Sequence, residues 1–264
     1  MSAGPDLLAQ VEEQPCPVTA RAAADLPRRV AAVLPVLREH AATIDGAASF
    51  PQANLDALRK QGLLGLLVPS RYGGLGGNLA DLVSVADQLA GACLSTAMIW
   101  AMHCQQVATV VGHAATTLRE RLLPRIGAGE VYLASVTSER GKGGHVLSAQ
   151  APLRRVDGQL VLRREAPIVT GGQFADGFLI TMRDRPEAPA NAVSMVYADR
   201  SQLRLHCSGD WNPMGMRGTH SVAMTLEAAL EPDQIVGAPG AFREVAVSTF
   251  APVGHVAWTA CWLG

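Results

Sequence analysis

The sequence is poor in charged residues. Asp, Glu, Lys and Arg make up only 17% of its 264 residues, whereas hydrophobic residues make up 48%. That share of charge is low for a soluble monomer, so we expect a partner chain to cover part of the surface and the protein to be an oligomer. The 22 basic and 23 acidic residues nearly cancel. The balance removes the electrostatic attraction on which nucleic-acid binding depends.

Cysteine motifs and targeting signals are also lacking. The five cysteines are odd in number and scattered without a CxxC pair: Cys16, Cys93, Cys104, Cys207 and Cys261. This usage favours a reduced, cytoplasmic protein over a disulfide framework. The seven histidines show no ligand spacing, so no metal site is expected. The N-terminus lacks the basic and then apolar order of a signal peptide.

The C-terminal segment, residues 245–264, has no Asp, Glu, Lys or Arg and is about as long as a membrane-spanning helix. It contains Ser248, Pro252 and His255 and has no basic flank after it. A helix buried on all sides in a bundle explains such a segment better. We therefore predict no membrane span.

The chain changes character twice. Residues 1–18 mix Pro, Gly and Glu without period and are expected to be disordered. Residues 19–129 have helical patterns, and residues 130–233 carry short β-branched runs between turn residues, typical of an antiparallel sandwich or barrel. Residues 234–264 are a linker and one helix. The prediction is an α+β multidomain protein: an all-α N-terminal domain, an antiparallel β-barrel or sandwich, and an incomplete C-terminal helical bundle.

Local signals place the helix ends. Pro27 and Pro35 are expected to interrupt or start helices. Ser49, Asn78 and Ser95 are candidate N-caps. The segment between Asp87 and Arg119 has no Asp, Glu, Lys or Arg, which predicts a helix buried on nearly all sides.

Four motifs occur in one order along the chain. Residues 50–77, FPQANLDALRKQGLLGLLVPSRYGGLGG, resemble the N-terminal signature of the acyl-CoA dehydrogenase superfamily. Residues 89–107 are similar to a buried helix of that family. Residues 133–146 and the pair 167–176 and 211–221 resemble its flavin-binding segments and a later turn. The resemblance covers residues 45–264 and implies the three-domain fold of that family. It also implies that Arg217 is a turn and interdomain anchor.

The resemblance implies an FAD site on the β-domain. Two segments would contact the flavin: Ser135, Val136, Thr137 and Ser138, together with Ile168, Val169 and Thr170. Ile168 stands where the family often has Trp, and Thr170 would offer a hydroxyl to the ring. Arg140 replaces a Pro, Gly144 a Ser and His145 an Asp of the family's loop, which puts the usual CoA contact in doubt. Glu139 has a loop-stabilising role in the family pattern.

By the same resemblance, the buried helix and the loop would contact substrate through Trp100, Met102, His103 and Gly144. Met, Trp and His on an apolar helix are also ordinary core residues. Both interpretations are open at this point.

The implied activity is FAD-dependent α,β-dehydrogenation of an acyl thioester, carried by CoA or by a carrier protein. The family's catalytic base comes from the C-terminal domain, so no base is assigned here, and a partner chain is expected to supply it. The chain would then be one subunit of a split, heteromeric enzyme, or a truncated one, of a biosynthetic branch. A flavin-dependent monooxygenase of the same fold and a non-catalytic scaffold without flavin are the alternatives.

Overall fold

A computed structural model of the protein describes residues 17–141 and 145–264. It contains a helical part, then two four-stranded sheets, then a final helix that returns to the helical part. The prediction for residues 1–18 lies outside the described residues, apart from the last two, which begin the first helix. The division at residues 129 and 233 stays a prediction.

Five helices form the first part. They are α1 Pro17–Ala47, α2 Gln52–Lys60, α3 Leu79–Ala90, α4 Leu94–His113 and α5 Thr116–Gly127. The expected interruption at Pro27 and Pro35 is wrong, because α1 runs through both. Each proline costs α1 a backbone hydrogen bond. Its buried face, which includes Val30, Val33 and Leu37, packs into the core and holds the helix together.

Of the three N-caps predicted from the sequence, the structure confirms one. Asn78 is confirmed as the cap of α3, with Asp81 completing a capping box. Ser49 makes no cap, since α2 starts after Pro51 without a side-chain cap. Ser95 lies inside α4, where its hydroxyl accepts from the backbone N–H of Gly218 at 3.2 Å. This contact across the chain is one that local sequence could not reveal.

The uncharged helix α4 is buried on nearly all sides, as predicted. In the glycine-rich turn before α3, Gly73 and Gly76 have φ of 81° and 63°. Only glycine adopts these values readily.

The described residues of the β-part form eight strands: β1 Leu133–Val136, β2 Arg154–Val156, β3 Gln159–Val169, β4 Gly177–Arg183, β5 Val193–Asp199, β6 Leu203–Ser208, β7 Val222–Leu230 and β8 Ile235–Val236. One sheet has the order β1-β4-β5-β8 and the other β2-β3-β7-β6. All pairs are antiparallel except β1 with β4. The predicted fold class is confirmed, with one parallel pair as a refinement.

The final helical segment is α6 Phe242–Val245, a π-helical turn Ala246–Phe250, and α7 Ala251–Leu263. It packs against α3 and α4. Three of its apolar side chains remain exposed: Val247 at 66%, Trp262 at 61% and Leu263 at 79%. Over the described residues, none of the helices has the length and apolarity to span a bilayer.

Candidate functional site

The two segments predicted to contact flavin lie side by side. The Ser138 hydroxyl donates to the Ile168 carbonyl at 2.6 Å, and the Ile168 N–H donates back to the hydroxyl at 3.3 Å. One side chain therefore joins the loop after β1 to the end of β3. We call residues 135–138 and 168–170 together the β1–β3 strip.

The strip offers an apolar side chain and a hydroxyl near each other in sequence. Ile168 is 55% exposed, so its apolar side chain is accessible to a ligand. Thr170, two residues on, is half-buried. Val136 and Val169 point into the core, so only their backbone could touch a ligand. Ser135 is buried, while Thr137 and Ser138 are half-buried.

Thr170 is held by a chain of hydroxyl groups. Its oxygen accepts from the Ser221 hydroxyl at 3.0 Å, and Ser221 is 3.0 Å from the Thr219 hydroxyl. Ser221 and Thr219 are both buried. With its oxygen accepting, the proton of the Thr170 hydroxyl is left to donate to another group.

An ion pair lies beneath the strip. The Glu139 carboxylate is 2.9 Å from the Arg164 guanidinium, and the Arg164 side chain has no exposed surface. Glu139 also accepts from the backbone N–H groups of Gln150 and Ala151, at 2.9 and 2.8 Å. Burial lowers the pKa of Arg164, and Glu139 opposes that shift. The carboxylate is fully engaged, in agreement with a loop-stabilising role.

A groove of about 550 Å³ lies beside the loop that begins at Glu139, directly after the first segment of the strip. Its lining is strongly charged and includes Glu139, Arg140, Arg154, Arg163 and Glu165. Arg163 pairs with Glu165 at 3.0 Å. Within residues 17–141 and 145–264, Arg140 and Arg154 have no carboxylate partner. The groove therefore presents two uncompensated guanidinium groups.

The residues predicted to contact substrate do not meet at the strip. Trp100 is fully buried and donates its indole N–H to the Leu63 carbonyl at 2.9 Å. His103 is also fully buried, and Met102 is half-buried against the core. Gly144 lies outside the described residues. Of the two open interpretations, burial favours the core one for Trp100 and His103.

His103 joins the helical part to the first strand. Its Nε2 lies 2.9 Å from the Leu64 carbonyl, and its Nδ1 accepts from the Leu133 N–H at 3.0 Å. The ring is therefore neutral with its proton on Nε2. Burial lowers the pKa of His103 to about 4.

Two further contacts fix the β-part on the helices. Arg217 donates to the Asp45 carbonyl at 2.7 Å, at the end of α1, which confirms it as an anchor. Arg59 of α2 pairs with Asp176 at 2.7 Å, and Asp176 also accepts from the Tyr132 N–H at 2.9 Å.

Sequence reasoning missed Arg164 and the role of Ser221. A signal for Arg164 was present, because residues 160, 162, 164 and 166 of β3 point inward and three of them are apolar. An arginine at an inward position needs a buried acceptor. Ser221 ends the quoted 211–221 motif, but its contact with Thr170 spans 51 residues of sequence.

Comparisons with known proteins agree with this architecture. The family model described as acyl-CoA dehydrogenase, N-terminal domain, matches residues 23–130. A cyclohex-1-ene-1-carbonyl-CoA dehydrogenase of Syntrophus aciditrophicus is 26% identical over 199 residues, which is 75% of this chain and 48% of that protein. A dibenzothiophene monooxygenase of Rhodococcus qingshengii is 27% identical over 230 residues, 83% of this chain and 54% of the relative. The chain thus spans about half the length of these relatives.

A solved structure shows the same fold. Butyryl-CoA dehydrogenase from Megasphaera elsdenii superimposes with a TM-score of 0.80 at 14% identity, covering 95% of this chain and 66% of that one. The resemblance stated from the four motifs is confirmed. Residues 23–130 match the acyl-CoA dehydrogenase N-terminal family model, and the chain has the acyl-CoA dehydrogenase-like fold.

Proposed function

We propose that this chain is the flavin-binding part of an acyl-CoA dehydrogenase-like oxidoreductase, with FAD on the β1–β3 strip. The observation that carries the proposal is the combination of exposed Ile168 with the half-buried Thr170 hydroxyl. A flavin ring has apolar faces and a polar edge, so it needs an apolar surface next to hydrogen-bond donors. The residues present fit the group.

Each residue of the strip has a role in this proposal. Ile168 packs against one face of the ring, and Thr170 donates its free hydroxyl proton to the ring's polar edge. Ser138 keeps the two segments at a fixed distance through its two hydrogen bonds. When bound, the flavin would supply the two-electron oxidation that no amino-acid side chain provides.

The catalytic base is not Glu139. Its two oxygens accept from two N–H groups and face Arg164, so both are already occupied by donors that hold the loop. We propose that the base comes from a partner chain or a further segment of the protein. The relatives' greater length supports this.

The arginine-lined groove suggests a carrier with phosphate groups. Guanidinium groups bind phosphate oxygens well, often with two parallel hydrogen bonds. Arg140 and Arg154 lack carboxylate partners within the described part of the chain. We therefore propose an acyl thioester whose CoA or carrier-protein pantetheine phosphate lies there.

A specific observation favours a second function, oxygenation by reduced flavin. Ile168 leaves more open space than the larger aromatic residue expected from the resemblance, and it is 55% exposed. The dibenzothiophene monooxygenase relative matches 83% of this chain. Under this alternative, the same strip holds the flavin and the open space at Ile168 admits oxygen.

The test is a visible-absorbance titration with FAD and with FMN. The chain is titrated alone and in a mixture with a candidate partner chain carrying a C-terminal helical domain. The proposal expects bound flavin in at least the mixture. A folded chain that binds neither flavin in either sample would leave the scaffold alternative. With flavin bound, acyl-thioester oxidation in the absence of oxygen supports dehydrogenation, and oxygen-dependent hydroxylation supports the monooxygenase.

A further inference from the structure

Two consecutive carbonyl groups of the strip point at one buried guanidinium. Arg164 donates to the Ser138 carbonyl at 3.0 Å and to the Thr137 carbonyl at 3.4 Å. All peptide bonds in the described chain are trans. In a trans peptide, the N–H points opposite to the C=O. The N–H groups of Ser138 and Glu139 therefore point away from Arg164.

Both N–H groups are free to bind a ligand. Across residues 17–141 and 145–264, neither the Ser138 N–H nor the Glu139 N–H donates to a protein group. They follow each other in sequence and lie next to Ile168, whose carbonyl is held by Ser138. Two adjacent backbone donors that face one way form a cradle for a partly negative oxygen or nitrogen.

The guanidinium itself cannot turn away. Glu139 pairs with it at 2.9 Å and is held in turn by the backbone of Gln150 and Ala151. Arg164 has no exposed surface. A buried charge must keep its partners, because leaving one unpaired costs several kcal/mol. The orientation of the two peptides is therefore fixed before any ligand arrives.

We propose that Arg164 is a positioning residue for the flavin, and that it acts by aiming the Ser138 and Glu139 N–H groups at the electron-rich edge of the ring. This inference rests on the proposed function and adds a preference for oxidation state. Reduction increases the negative charge on that edge. Fixed donors stabilise developing charge more than they stabilise a neutral acceptor. The intact strip therefore binds reduced flavin more tightly than oxidised flavin.

The test compares Arg164→Lys with the wild-type chain, in the sample that binds flavin. Lysine keeps the charge opposite Glu139 but lacks the planar fork that reaches two carbonyls. Dissociation constants are measured for oxidised and, without oxygen, reduced flavin. We expect the preference for reduced flavin to fall about tenfold, or about 1.4 kcal/mol, because a hydrogen bond to a charged group is stronger than one to a neutral group. Arg155→Lys, which changes an exposed arginine of β2 outside the groove, is the control and should leave the preference unchanged.

Each other outcome is decisive. An equal loss of affinity for both oxidation states would reduce Arg164 to a structural residue and overturn the inference. An unchanged preference would do the same while leaving the proposed function intact. A wild-type chain that binds no flavin, alone or with a partner, would overturn the proposed function and this inference with it. If Arg164→Lys does not fold, the double variant Glu139→Gln/Arg164→Met buries no charge and must show the same tenfold change.

Discussion

Glu139 and Arg164 form an ion pair of 2.9 Å in which the arginine is fully buried and the carboxylate nearly so. The pair lies directly beneath the strip that carries the proposed flavin contacts. It explains why a glutamate next to a cofactor loop is not a base. Its oxygens are already occupied by the loop that it holds.

The pair should matter for stability far more than its exposed neighbour. Arg164→Met leaves the Glu139 carboxylate buried without its counter-charge, so we expect a loss of about 3–5 kcal/mol in the free energy of unfolding. Arg163→Met removes exposed pairs with Glu165 and Glu227 and should cost less than about 1 kcal/mol. Urea unfolding of both variants measures the difference. Similar losses in the free energy of unfolding would mean that the buried pair stabilises the fold no more than the exposed one.

His103 should make stability depend on pH. Its pKa is lowered to about 4 in the folded chain, whereas an unfolded histidine titrates near 6.5. Between these values the unfolded state binds a proton that the folded state does not, so stability falls as pH falls from about 6.5 to about 4. The loss from this group is about 3 kcal/mol.

The variant His103→Gln tests this assignment. An amide can donate to the Leu64 carbonyl and accept from the Leu133 N–H, as the neutral ring does. Unfolding free energies measured from pH 4 to pH 7 should lose the part of their slope that His103 contributes. His206→Gln, at an exposed site on β6, should keep the wild-type slope. If both variants keep it, the pH dependence has another source.

Ser221 should affect flavin binding through Thr170. Ser221→Ala removes the donor that fixes the Thr170 hydroxyl, so we expect flavin to bind about three- to tenfold more weakly. The absorbance titration reports this value. Ser208→Ala, an exposed serine at the end of β6, serves as the matched control. Equal flavin affinities for both variants would show that Ser221 does not contribute to flavin binding.

Arg154 and Arg155 provide a test of the carrier site. They are adjacent on β2, and Arg154 lines the groove while Arg155 does not. With flavin bound, Arg154→Ala should weaken binding of a CoA thioester about tenfold, because one charge-assisted contact to phosphate is lost. Arg155→Ala should have little effect. A thioester lacking the phosphates should bind both variants equally well, and a difference there would contradict a phosphate contact.

Ile168 offers a test between the two enzymatic functions. Since Ile168 is 55% exposed, Trp can replace it without displacing buried side chains, and we expect stability to change by less than about 0.5 kcal/mol. The larger side chain should slow the reaction of bound reduced flavin with oxygen. Stopped-flow absorbance measures that rate. An unchanged rate in Ile168→Trp would show that the space at residue 168 does not control oxygen access.

Much of the architecture could be predicted from local sequence. The buried α4 follows from an uncharged segment, the cap of α3 from Asn78, and the positive φ values from Gly73 and Gly76. The order of four motifs led to the fold. These features depend on neighbours a few residues apart, and their physical causes are burial, capping and backbone sterics. The predicted cytoplasmic location, heteromer and biosynthetic role remain predictions.

Tertiary structure decided what the same residues do. The sequence alone determined that Trp100 and His103 lie on a buried helix, but their bonds to Leu63, Leu64 and Leu133 come from distant segments. It placed Glu139 in a loop, but not opposite Arg164, and it could not join Ser221 to Thr170. Such contacts depend on how sheets and helices pack, because a hydrogen bond is set by distances of about 3 Å between atoms far apart in the chain. Composition and spacing do not contain that information.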